Sequence, residues 1–118
     1  MEKQNKELPV LAFRSVGELR AWLVANHKTS HGIWVRIFKQ DSGTPSVTFE
    51  EVLDEGLCFG WSESTRRKGD SSSYLQRFTP RRTMGTTSTR NQQHVQRLIR
   101  EGRMTEFGLR ALGLGTDE

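Results

Sequence analysis

Four arginines, Arg77, Arg81, Arg82 and Arg90, surround a proline in the stretch "YLQRFTPRRTMGTTSTRN". Guanidinium groups are planar, permanently charged, and bind phosphate or carboxylate through paired N–H donors. Pro80 fixes one backbone torsion, so Arg81 and Arg82 leave the preceding strand in a restricted direction. Free backbone N–H groups at a helix start around Arg90 add donors for an anion. These four residues are the candidate anion-binding set. The competing reading is structural. Nine acids lie in residues 1–65, and Arg77 or Arg81 pairing with one on the second helix would lock the hairpin onto it.

Other chemistry-bearing residues carry weaker signals. Cys58, the one cysteine, sits near the end of a helical pattern among Leu57, Phe59 and Trp61. The helix dipole there disfavours a thiolate, so a buried core cysteine is expected. His27 and His31 are four apart, but the polar segment "NHKTSHG" ends the helix between them. No further ligand completes a metal set, and neither metal nor cofactor is expected. Asp54, Glu55 and Glu63 are expected as solvated acids or as partners for Arg66 and Arg67. No phosphate-cradling glycine loop or nucleophile elbow is present.

The charge distribution points to the same region. The chain of 118 residues has a net charge of +4, yet residues 66–103 alone hold ten Lys/Arg against Asp70 and Glu101. That local balance of +8 is flanked by segments of −2 each. A basic block of this kind suits phosphates or acidic partners, or forms a solvated face. The length predicts one domain, large enough to bury a core without staples. No apolar run approaches bilayer-spanning or signal-peptide length, and a single cysteine cannot close an internal disulfide. A reduced, cytoplasmic setting without membrane insertion is the resulting expectation.

The elements that must position these residues are legible in outline. Residues 1–12 read as a flexible segment, 13–114 as one domain and 115–118 as a tail. In "SVGELRAWLVANH", Ser15 and Glu18 have capping-box spacing, and Val16, Leu19, Trp22 and Leu23 recur at helical spacing. A helix is predicted over about 16–27. "GIWVRIFKQ" is a strand with Ile33, Val35 and Ile37 on one face. Thr48 and Glu51 open a second helix with a further box and a Val47–Val52 staple, and Gly60 stops it. Residues 61–82 read as a hairpin with a turn near "GDSS", marked by Gly69–Asp70, its second strand ending before Pro80. A third helix begins at Ser88 or Thr89, with Val95, Leu98 and Ile99 as its stripe and Arg97, Arg100 and Arg103 beside it. A short helix with Phe107, Ala111 and Leu112 follows. The order α-β-α-β-β-α-α predicts an α+β domain with a small, mostly antiparallel sheet packed by helices.

From Phe13 onward the chain resembles the YdeI/OmpD-associated family, also called bacteriocin-protection proteins. The resemblance is carried by "ELRAWLVANH", "GIWVRIFKQ", "EEVLDEGLCFGW", "YLQRFTPRR" and "NQQHVQRLIREGRMTEFGL". It implies a bacterial cytoplasmic protein and raises a relation to the YjbR/CyaY-like superfamily, but it brings no established reaction. By motif, Gly60, Trp61, Arg77, Phe78, Pro80, Arg81, Arg82 and Asn91 match the family pattern. Ser62, Glu63 and Ser64 stand where the family usually has Ile-Asp-Gly, and Thr87 stands where it has a tryptophan. The chain also ends near Leu114, where many members continue into a further helical segment.

Two functions follow from these residues. The first is a non-enzymatic module in which Arg77, Arg81, Arg82 and Arg90 hold an anionic partner, either nucleic acid or an acidic protein surface. The second is a small-molecule enzyme or sensor with a pocket at the Gly60–Trp61 corner, lined by Trp61, Glu63, Tyr74, Phe78 and Asn91, with Glu63 as acid or base. The first is preferred. A helix-turn-helix over residues 90–112 is disfavoured, because its second helix offers only Arg110 beside Glu106.

Overall fold

Both capping signals start helices in the computed structural model, which describes residues 8–81 and 89–114, without the side chains of Thr89 and Arg90. Helix α1 spans Val16–Asn26 and α2 spans Phe49–Phe59. At α2 the box is complete. Glu51 N–H donates to Thr48 Oγ1 at 3.1 Å, and Thr48 N–H donates to Glu51 Oε1 at 3.0 Å. At α1 the Ser15 hydroxyl accepts from Glu18 N–H, but the Glu18 carboxylate reaches one residue further back, to Arg14 N–H at 2.8 Å. Each cap is worth about 1 kcal/mol. Val47 and Val52 are both fully buried, as the staple requires. Gly60 ends α2 at φ 79°, a left-handed conformation that a side chain would strain.

Four strands form one mixed sheet in the order β1-β2-β4-β3. They are β1 (Val10–Ala12), β2 (Ile33–Phe38), β3 (Trp61–Asp70) and β4 (Ser73–Pro80). Strand β2 runs antiparallel to β4, and β4 antiparallel to β3. Strand β1 runs parallel to β2 and lies within the segment expected to be flexible. Three residues are too few for a local pattern. The strand exists through pairing, led by Trp34 N–H donating to Pro9 C=O at 2.8 Å.

The hairpin turns at Ser71–Ser72, within the expected "GDSS" turn and directly after its Gly69–Asp70 marker. Gly69 is instead the extra residue of a bulge between Lys68 and Asp70, where a Cβ would come within 2.7 Å of Ser73 C=O. The Asp70 carboxylate accepts from Ser72 N–H at 3.0 Å and from the Ser73 hydroxyl at 2.8 Å, fastening the turn after itself. Pro80 is the last residue of β4, opposite Trp61, rather than just outside the strand. Pairing with β2 stops at Phe78, so the N–H that proline lacks is not needed there.

Helices α3 (Thr89–Arg100) and α4 (Glu106–Ala111) complete the α+β domain. Ile33, Val35 and Ile37 share one sheet face with Phe78, Gln76 and Tyr74, and helices pack on it. Trp61 packs edge-on against Trp22 at 5.7 Å and against Phe78 at 5.0 Å. Buried side chains of this size contribute about 1.5–3 kcal/mol each. Val95 and Leu98 bring α3 into the core, while Ile99 of the expected stripe is exposed.

Candidate functional site

The acids of α2 are already engaged, which decides which arginines are free. Glu55 is only 1% exposed, not a solvated acid. It accepts from Arg20 at 3.0 Å and from Arg103 at 2.8 Å. Arg20 also donates to Arg103 C=O at 2.8 Å, so one carboxylate ties α1, α2 and the segment after α3 together. Asp54 accepts from Arg97 at 2.9 Å and has His94 at 3.3 Å. The partners expected for these acids lie elsewhere. Arg66 stacks on Tyr74 at 4.2 Å, and Arg67 stacks on Trp34 at 4.2 Å. Cys58 is buried, and burial foremost, then the negative charge of Glu55, pushes its thiol up to about 11. It is a core residue, not a nucleophile.

Arg77 and Arg81 border the same cleft at the end of β4. With Ser30, His31, Thr79 and Pro80 they line a cleft of about 440 Å³. Among the described residues, neither guanidinium has a carboxylate partner. Arg77 is held by its neighbour, 5.9 Å above the Trp34 ring. Arg81 is anchored through its backbone, its N–H donating to Gly60 C=O at 2.9 Å. The Arg81 Nε is screened from solvent and has no hydrogen-bond partner among the described residues. Arg82 and the Arg90 side chain lie outside the described residues.

A second segment shapes the opposite wall. Gly32 adopts φ 130°, and a Cβ there would fall 2.5 Å from the Thr79 methyl and 3.2 Å from Phe78 C=O. Only glycine lets this loop come so close to β4. Ser30 Oγ accepts from Gly32 N–H at 3.0 Å, which leaves the hydroxyl hydrogen available to a ligand. His31 therefore belongs to the cleft, a role its spacing from His27 did not suggest. The imidazole of His27 packs on Phe107 at 4.5 Å and on Phe59 at 5.3 Å. The only local hint was the glycine after His31; the rest depends on how β2 pairs with β4.

Two of the five residues expected to line the alternative pocket belong to the core. Trp61 and Phe78 are core residues, 2% and 0% exposed, in ring contact with each other. At Gly60 a Cβ would meet Phe107 C=O and Ala111 Cβ, both at 3.0 Å, so α4 fills that corner. Gly108 lets α4 dock there, directly against the backbone of Leu57 and Cys58. Tyr74 lies beneath Arg66, and Asn91 is half-buried in the first turn of α3. Glu63 is half-buried on edge strand β3, opposite Phe78. None of the five lines the cleft that Arg77 and Arg81 share.

Among the described residues, no helix is long and apolar enough to cross a membrane. Comparison with curated proteins and with solved structures finds no match. The profile of a family described as Domain of unknown function (DUF8412) matches residues 11–111, from β1 to the end of α4. A match over that much of the chain shows that it belongs to this family.

Proposed function

We propose that the protein is a non-enzymatic binding module for an anionic partner, nucleic acid or an acidic protein surface, held through its arginine-rich surface. The observation that carries this reading is that Arg77 and Arg81 line one cleft while Asp54 and Glu55 of α2 are occupied by Arg97, Arg20 and Arg103. Two guanidiniums without a carboxylate partner among the described residues, beside a hydroxyl and an imidazole, make a donor-rich receptor. Arg82 and Arg90 extend the same positive stretch of sequence. The reading includes a reduced, cytoplasmic setting, supported by the single buried cysteine. A relation to the YdeI/OmpD-associated family, carried by "LCFGW" and "QRFTPRR", is part of the same proposal.

The test is a titration of labelled oligothymidylate and of a poly-glutamate peptide. If about three phosphates are engaged, affinity for the single strand falls roughly 20-fold between about 50 and 200 mM salt. The double variant Arg77→Ala/Arg81→Ala loses most of that binding. No binding of either probe at low salt, or binding indifferent to salt, overturns the reading.

A further inference from the structure

Resting on that reading, we infer that the cleft between β4 and the Ser30–Gly32 loop is built for a terminal phosphate monoester, with Arg77 and Arg81 as its charged ligands. Three observations carry this. The described lining of Ser30, His31, Arg77, Thr79, Pro80 and Arg81 contains no carboxylate, so the ligand that suits it accepts hydrogen bonds. A phosphomonoester is such a group, with three terminal oxygens and a charge near −2 at neutral pH. A carboxylate or a bridging phosphodiester brings two terminal oxygens and a charge of −1, and leaves one guanidinium uncompensated.

The volume agrees. About 440 Å³ falls in the range of small-ligand sites, roughly 300–1,000 Å³. It takes an end group or a small molecule rather than the continuous rod of a duplex. Preorganisation agrees as well. Arg77 lies 5.9 Å from the Trp34 ring, the Gly60 carbonyl holds the Arg81 backbone, and the bond from Gly32 N–H positions the Ser30 hydroxyl.

The shared chemistry has two sources, a free small phosphomonoester or the phosphorylated end of a single strand, and the experiment separates them. Fluorescence anisotropy compares oligothymidylate bearing a 5′-phosphate with the same strand ending in a 5′-hydroxyl. Thymidine 5′-monophosphate and inorganic phosphate serve as competitors. The expected result is at least about tenfold tighter binding of the phosphorylated strand, the scale of one good charge-assisted contact. Competition by the mononucleotide at a concentration near the strand's own Kd assigns the site to small phosphomonoesters. Competition only at far higher concentration assigns it to strand ends. Equal affinity for both strands overturns the inference and leaves anion binding intact, whereas no binding of any probe removes both. Arg81→Lys keeps the charge but removes the fork. It abolishes the preference for phosphorylated ends. An unchanged preference in Arg81→Lys also overturns the assignment, and far-UV circular dichroism confirms that the variant is folded.

Discussion

Arg103 donates to Glu55 at 2.8 Å across 48 residues of sequence, and the carboxylate it reaches is almost wholly removed from water. Arg20 takes the other oxygen, so the charge is divided between two guanidiniums. The pairing explains why a basic stretch on the sequence is not uniformly basic on the surface. Arg97 and Arg103 are tied to α2, while Arg77 and Arg81 have no acid beside them among the described residues.

Glu55→Ala leaves two guanidiniums facing a gap. Removing one partner of a buried pair costs about 3–5 kcal/mol. The expected loss is at the lower end, because Arg20 and Arg103 keep 33% and 32% of their side-chain surface exposed. Arg103→Ala costs less, since Arg20 still holds Glu55. Urea unfolding of the two variants checks both the size and the order. Equal midpoints for Glu55→Ala and wild type would remove the structural role assigned to this pair.

Gly32→Ala places a methyl 2.5 Å from the methyl of Thr79 at a backbone angle that side chains avoid. Strain of this kind costs about 1–3 kcal/mol. The loop must also back away from β4, which widens the cleft and separates Ser30 and His31 from Arg77 and Arg81. The variant is expected to melt earlier and to lose anion binding beyond what its stability loss explains. Comparing titration with thermal melting, well below the transition, distinguishes the two effects. Full retention of affinity would show that the Ser30–Gly32 wall contributes nothing.

Cys58 is expected to resist alkylation in the folded protein at pH 8 and to react promptly once unfolded in urea. Its thiol is raised from 9.0 to about 11, chiefly by burial. A raised acid favours the fold while it stays neutral. That contribution is complete below pH 9 and is lost as pH rises towards 11. Denaturation midpoints between pH 8 and 11 should therefore fall less steeply for Cys58→Ala than for wild type. Mass spectrometry after iodoacetamide treatment checks the first part. Rapid labelling under native conditions would contradict the burial.

Sequence alone determined the elements whose causes are local. Thr48 and Glu51 sit three residues apart and satisfy each other's backbone groups, so α2 starts where that spacing requires. The alternation of Ile33, Val35 and Ile37 chooses the core face of β2 because a strand repeats every two residues. Gly60 stops α2 because the chain must turn left-handed there. Tertiary structure decided everything that depends on which distant groups meet. It made a strand of Val10–Ala12 by supplying β2 as a partner, and put Gly69 in a bulge ahead of the hairpin turn. It gave Glu55 to Arg20 and Arg103, filled the Gly60 corner with α4, and set His31 beside Arg77 and Arg81. Charge and shape act through space, and a linear pattern records only what lies within a few residues.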